Sequence, residues 1–394
     1  MNHRVWVIQD GARQHYIVPR AFQRLGMLQG VYTDWYVRPR SIEAIFARRG
    51  GQWTARQHPE LDSSLVQSHA MLTLWQRIMA RRYKTGEAYW EWVARSTAKW
   101  ILKRGFGNAS ALYGFIRNVD PSVFAAARSQ GIKTIGDQIV APAQIEMAEA
   151  TKMRQRYPGW GTGEAGVDLA RVIEMERRTW PQLDVVLAGS DYVKQGLTQC
   201  GVSEGKIRVT RYIPVGTNLP YVDRRGRKGP LTVGFVGAVS LRKGAPYFFE
   251  LARRFDPAQV KFVMIGPVQL TDEGLKHKGA VELTGAVPRE RVRDWLEKFD
   301  VMLLPTTCEG RVGSVLEAME TGLPVVTTPN SGVPITEGVN GFLAQPDDID
   351  ALEARVRQLV SDEDLRIITG NRARETIQEC TMDAYCRELA TALD

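Results

Sequence analysis

VMLLPTTCEGRVGSVLEAMETGLPVVTT, residues 301–328, decides the reading of the chain. Four apolar residues, Val301 to Leu304, run without interruption, as in a strand covered on both faces of a parallel sheet. A polar loop carrying Glu309 follows, then a helical stretch carrying Glu317, then a second buried strand ending in PVVTT. Strand, helix and parallel strand in this order make a crossover unit.

The same rhythm extends outward. LTVGFVG (231–237), VKFVMIG (260–266) and VELTG (281–285) are further strand candidates, separated by helical stretches such as APYFFELARRF and VRDWLEKF. In the first half, VWVI (5–8), GVYTDWYV (30–37), SALYGF (110–115), IKTIGDQ (132–138) and DVVLAGS (184–190) alternate with IVPRAFQRLGML, PSVFAAARSQG and DYVKQGLTQCG. Both halves therefore predict an α/β fold with doubly wound parallel sheets. At 394 residues the chain exceeds one ordinary hydrophobic core. The stretch 214–230, rich in proline, glycine and charge and without period, is the natural linker. The predicted organisation is an N-terminal domain over 1–213, a C-terminal domain over 231–375, and a closing helix over 376–394 that crosses back.

Hydrophobic content of 44% and charged content of 24% are those of a soluble globular protein, without repeats or low-complexity segments. The polar N-terminus leads into only four apolar residues, which argues against a signal peptide, and no stretch approaches the roughly 18 apolar residues of a membrane span. Cys200, Cys308, Cys380 and Cys386 form no CxxC pair and have no histidine at metal-site spacing, so no structural metal is expected and a reducing cytoplasm is. The formal charge of +8 is uneven: residues 1–190 hold 26 Lys/Arg against 16 Asp/Glu. Such a half favours an anionic partner. Within it, residues 72–104 carry eight Lys/Arg against two Glu, with Trp75, Trp90, Trp92 and Trp100. This suits a membrane interface or a lipid-diphosphate acceptor, and equally a plain domain surface with buried aromatics. No nucleic-acid-binding module surrounds it, so no nucleic-acid partner is expected.

Two motifs carry chemistry. VGFVGAVSLRKGAPYFFELA (233–252) sets a strand, a turn with Gly237 and the pair Arg242–Lys243 directly before a helix, where backbone amides and cations converge on phosphate. It is neither a Walker A loop nor a GxGxxG turn. About 65 residues on, Glu309 and Glu317 stand with seven residues between them, one in a loop and one two turns into a helix; carboxylates so placed accept hydrogen bonds from sugar and ribose hydroxyls. The Asp348–Asp350 pair opens a helix and reads as a cap. In the N-terminal half, Gly11 and His15 lie in the first βα loop and Asp137 with Gln138 at another strand end, positions that face the cleft of a doubly wound sheet.

Strand, PTTCEG, the helix with Glu317, ETGLPVVTT and GVNGF together resemble the nucleotide-binding signature of family 4 glycosyltransferases, retaining enzymes of the GT-B fold with two Rossmann-like domains facing a cleft. The resemblance covers about residues 185–365. It implies that Glu309 contacts the donor sugar, Glu317 the ribose and Lys243 the diphosphate. The family's arginine after the second glycine is Ala238 here, which leaves Arg242 as the second positive charge. Its E-G-F-G turn reads Glu309-Gly310-Arg311-Val312-Gly313, which puts Arg311 and Val312 beside the sugar. The expectation is a metal-independent, retaining hexosyltransferase without cofactor, using a UDP-sugar, or next a GDP-sugar, and a glycan or lipid-linked acceptor, in the cytoplasm at the inner membrane face. Rival readings are a sugar-nucleotide epimerase or phosphorylase, and a catalytically weak glycan- or membrane-binding protein.

Overall fold

The computed structural model describes residues 3–38, 41, 43–44, 56–80, 86–162, 169–213 and 219–393. The first lobe runs β1 (Val5–Ile8), α1 (Ile17–Arg24), β2 (Leu28–Thr33), β3 (Val66–Ser68), α2 (Ala70–Ala80), α3 (Gly86–Arg104), β4 (Ala111–Phe115), α4 (Pro121–Ser129), β5 (Lys133–Gln138), α5 (Ala143–Arg156), α6 (Leu169–Thr179), β6 (Val185–Ala188), α7 (Asp191–Gln199) and β7 (Ile207–Val209). The second runs β8 (Leu231–Val236), α8 (Ala245–Ala252), β9 (Val260–Ile265), α9 (Asp272–Leu275), β10 (Glu282–Leu283), α10 (Arg289–Leu296), β11 (Val301–Leu304), α11 (Gly313–Glu320), β12 (Val325–Thr327), β13 (Phe342–Leu343), α12 (Ile349–Ser361) and α13 (Glu363–Gln378). The last helix is α14 (Met382–Leu393).

The strands form two sheets, ordered β3-β2-β1-β4-β5-β6-β7 and β10-β9-β8-β11-β12-β13, and every ladder is parallel. In each sheet the order turns back beside the first strand, between β1 and β4 and between β8 and β11. Such a reversal opens a crevice at the carboxyl ends of the strands, where ligands of doubly wound sheets bind. The apolar runs behave as their pattern requires: Val5, Val7, Val233, Phe235 and all four residues of β11 are fully enclosed. Phe248, with no exposure on α8, alone contributes about 2–3 kcal/mol by leaving water.

Three short strands, β3, β7 and β13, extend the sheets beyond the strands read from sequence, and β2 stops at Thr33 instead of continuing through WYV. Within the stretch read as a linker, 214–218 lie outside the described residues, while 219–230 lie against the second lobe. Arg224, 1% exposed, binds the carbonyls of Phe299, Thr321, Leu296 and Val222 at 2.7–3.0 Å. Five donors on a rigid planar fork explain how a guanidinium fills a core position by bonding mainly to backbone carbonyls. The second lobe also continues past residue 375, because α13 is unbroken to Gln378. Only α14 returns to the first lobe, where Tyr385, Leu389 and Leu393 join the core with Ile17, Ala21 and Phe22 of α1.

Candidate active site

β8 ends at Val236 and the chain turns at Gly237, whose φ of 149° suits a residue without Cβ. Gly244, at φ 77°, is the N-cap of α8, and a Cβ there would stand 2.0 Å from the Pro305 carbonyl. The turn between them is clamped to the second motif. The Arg242 carbonyl accepts from the Thr307 amide at 2.9 Å and from the hydroxyls of Thr306 and Thr307 at 3.0 Å each. These bonds explain why PTT precedes Glu309: two hydroxyls fasten one loop to the other.

The result is a compact charge cluster. Lys243 Nζ lies 2.8 Å from Glu309 Oε1, and Arg242 pairs with the same oxygen while donating to the Cys308 carbonyl at 3.1 Å. The Lys243 and Glu309 side chains are only 12% and 11% exposed. Burial pushes the Lys243 ammonium below its ordinary pKa, and Glu309 pulls the other way. Two cations share one carboxylate at a helix N-terminus, so the cluster keeps an excess positive charge where the helix field is also positive.

Val312 is the N-cap of α11, and the Ser314 hydroxyl donates to the Val236 carbonyl at 2.8 Å, which binds α11 to the end of β8. Glu317 pairs with Arg289 of α10 at 2.7 Å; burial raises its pKa and Arg289 opposes the rise.

The loop with Glu309 also meets the first lobe. The Ala141 amide donates to the Glu309 carbonyl at 3.2 Å, and the Ser190 hydroxyl to the Gly310 carbonyl at 2.5 Å. A Cβ on Gly310 would lie 1.7 Å from the Ile139 carbonyl. Glu309 therefore sits where the lobes touch.

In the first lobe, Gly11 (φ 69°) donates its amide to Asp34 at 2.7 Å, and Gln9 ties the loop through the carbonyls of Gly11 and Arg13 at 3.1 Å each. Gln14, His15 and Tyr16 follow with φ of 48°, 50° and 57°, a left-handed run that costs non-glycine residues energy. Partial desolvation of the His15 ring, then Arg289 and Arg20, push its pKa down. Arg289 is the partner of Glu317, so this loop reaches toward the second lobe's second carboxylate.

A model of the family described as glycosyl transferases group 1 matches residues 230–362. The putative colanic acid biosynthesis glycosyltransferase WcaL of Salmonella typhimurium is 30% identical over 307 residues, 70% of this chain and 74% of that protein. The chain belongs to the group 1, family 4-like glycosyltransferases. The amylovoran biosynthesis glycosyltransferase AmsK of Erwinia amylovora is 28% identical over 257 residues, 58% of this chain and 62% of its own. Among solved structures, Anabaena HepE in complex with UDP aligns over 99% of both chains with a TM-score of 0.60 and 14% identity. Sucrose-phosphate synthase from Thermosynechococcus elongatus aligns over 99% of this chain and 98% of its own at 0.65 and 15%. Both likenesses show the fold, two parallel-sheet lobes of GT-B type.

In this glycosyltransferase the structure brings Arg242, Lys243, Gly237, Glu309 and Gly310 together, with Val312 and Gly313 at the start of α11 and Glu317 little more than one turn into it, not two, because the helix begins only at Gly313. Arg311 departs from this group: its side chain points to Cys380 beyond α13, with Sγ at 3.6 Å, near Arg211 and Glu388. Asp137 is enclosed, 2% exposed, and accepts the hydroxyls of Tyr113 and Tyr212; burial raises its pKa to about 6. That location is a core position beneath the cleft, while Gly11 and His15 lie in the loop above it. Asp348 caps α12 through the Ala351 amide at 2.9 Å, and Asp350 pairs with Arg254 at 2.5 Å, so neither aspartate faces the cluster.

Two residues escaped the sequence reading. Arg289 is distant in sequence from Glu317 and carries no motif. Asp10, at the end of β1, is raised to about 7 by burial and by Asp34, against Arg13 and Arg56. Arg13 reaches from this loop to Asn118 after β4 at 3.2 Å, across the crevice of the first sheet. A carboxylate held near neutrality at a sheet crevice is a candidate functional group.

Proposed function

We propose that this glycosyltransferase moves a hexosyl group from a nucleoside diphosphate sugar, UDP first and GDP next, to a glycan or lipid-linked acceptor, with retention and without metal. One observation carries the reading: Arg242, Lys243 and the start of α8 surround Glu309 at the lobe contact. A leaving diphosphate gathers negative charge as the sugar–oxygen bond breaks, and cations already in place stabilise that charge without rearrangement. Incoming diphosphate competes with Glu309 for Lys243 and Arg242 and frees a carboxylate to accept sugar hydroxyls. Glu317, held by Arg289, receives the ribose. In retention the leaving phosphate takes the acceptor hydroxyl's proton on the same face of the sugar. The Asp-x-Asp pair is spent on a helix cap and an ion pair, which supports a mechanism resting on Lys243 and Arg242.

The likeness to glycosyltransferases of colanic acid and amylovoran biosynthesis supports an acceptor in the assembly of a polysaccharide. The UDP in the HepE structure supports uridine. The test is thermal unfolding with UDP, GDP, ADP and dTDP, with chelator present. Ligand at a hundred times its dissociation constant adds about 2.7 kcal/mol. Stabilisation by UDP that disappears in Lys243→Ala and Glu317→Ala is expected. No stabilisation of the folded wild type by any nucleotide would withdraw the site.

A further inference from the structure

Helix α2 is built inside out. Its enclosed residues are Ala70, Thr73 and Gln76, while Met71, Trp75 and Ile78 are 67%, 51% and 63% exposed. Spacings of four and three residues put the exposed set on one stripe. A helix packed on a domain in water normally turns its large apolar residues inward. Here the inward polar groups are deliberately satisfied. Thr73 donates to the Asp34 carbonyl at 2.9 Å, and Gln76 Nε2 donates to the hydroxyls of Ser96 and Thr97 on α3 at 2.9 and 3.3 Å. Each inward residue has a place, so the outward stripe is not the product of a helix rotated on its axis.

The surroundings identify what covers the stripe. On neighbouring α3, Arg95, Lys99, Lys103 and Arg104 are exposed, with Leu102, and Trp90 is 54% exposed. Glu91, the acid on this stretch of α3, is engaged by Arg95. Residues 72–104 hold eight Lys/Arg against two Glu. Tryptophan and long aliphatic side chains framed by cations match the interface of an anionic bilayer, where rings sit at headgroup depth and lysines meet lipid phosphate. Among the described residues no helix is long and apolar enough to cross a membrane, so contact here lies in the plane of the interface.

We infer that the outer stripe of α2, with the basic side of α3, seats the first lobe on an anionic lipid surface. The placement gives this contact a purpose. The His69 amide just before α2 donates to the Thr33 carbonyl at 3.1 Å, and Thr73 holds Asp34, so α2 starts at the carboxyl end of β2. That is the rim on which Asp10 and Arg13 stand. A docked bilayer lies beside the crevice of the first sheet, where, on the function proposed above, a lipid-linked acceptor would present its sugar.

The test is co-sedimentation of the full chain with phosphatidylcholine vesicles and with phosphatidylcholine–phosphatidylglycerol vesicles. Binding to the anionic vesicles alone is expected. Trp75→Ser/Ile78→Ser should lower it at least about tenfold, and Lys99→Glu/Lys103→Glu about as much, with salt weakening the wild type. Thermal unfolding with and without UDP, done without lipid, should be the same in all three proteins. This keeps failure of lipid binding apart from failure of the donor site. Equal binding to both vesicle types would overturn the anionic surface. Absence of binding would overturn the inference, as would a dimer or a protein complex that Trp75→Ser/Ile78→Ser abolishes.

Discussion

Lys243 is held by Glu309 at 2.8 Å and faces little water, yet its removal leaves Arg242 on the same carboxylate. Lys243→Ala is therefore expected to fold with nearly unchanged stability and to lose about a hundredfold in kcat/KM, the usual worth of one pre-placed group facing developing charge. Initial rates and a melting curve on one preparation check both halves. Asp137 makes a different prediction. Its pKa of about 6 exceeds that of an unfolded carboxyl near 4, so the native state holds the proton more tightly. Stability is full below the unfolded value and is lost as pH rises through about 6, by up to about 3 kcal/mol. Asp137→Asn should flatten that slope between about pH 4 and 6 in thermal unfolding. At this scale the residue types of the cluster were legible, because RKG and the two glutamates form local motifs. Their mutual pairing was not, since Lys243 and Glu309 are brought together by the adjacency of β8 and β11. The enclosure of Asp137 depends on Tyr113 and Tyr212, which have no spacing that reveals it.

Long buried strands and helices with a clear period were legible as elements. The exceptions are instructive: β3, β7 and β13 have three, three and two residues, too few to show a pattern, and exist because longer strands beside them offer open edges. Loops proved harder. The E-x7-E loop reads as a ligand loop, with Gly310 as part of its donor-binding turn, but the structure gives Gly310 a second duty. Its α-carbon faces the carbonyl of Ile139 in the other lobe, with no room for a methyl group. Gly310→Ala should accordingly separate the lobes at this point. The expected outcome is a folded protein with a small change in melting temperature and at least about a tenfold loss of kcat/KM, because misplacement by an ångström at a reacting centre is costly. Small-angle scattering on the same variant should report an expanded particle; an unchanged particle with full activity would refute the reading.

At the scale of the molecule, the last helix matters more than its length indicates. Tyr385, Cys386, Leu389, Ala392 and Leu393 of α14 are each no more than 6% exposed, and they complete the first lobe's core although they come from the far end of the chain. Deleting residues 382–394 should remove several kcal/mol from that lobe, a large part of the 5–15 kcal/mol that holds a domain together. Limited proteolysis should then cut the first lobe well before the second. The described residues that flank the two passages between lobes are also tied to each other. Arg211 after β7 binds Glu388 of α14 through its amide at 2.6 Å, and Arg374 of α13 donates to the Leu219 carbonyl at 3.2 Å. Ties of this kind at either end of the crossings are expected to act like the knuckles of a door, favouring rotation of one lobe on the other over sliding. Under such a rotation the bonds from Ala141 and Ser190 to Glu309 and Gly310 are expected to form or break together, which would make them a latch at the edge of the cleft.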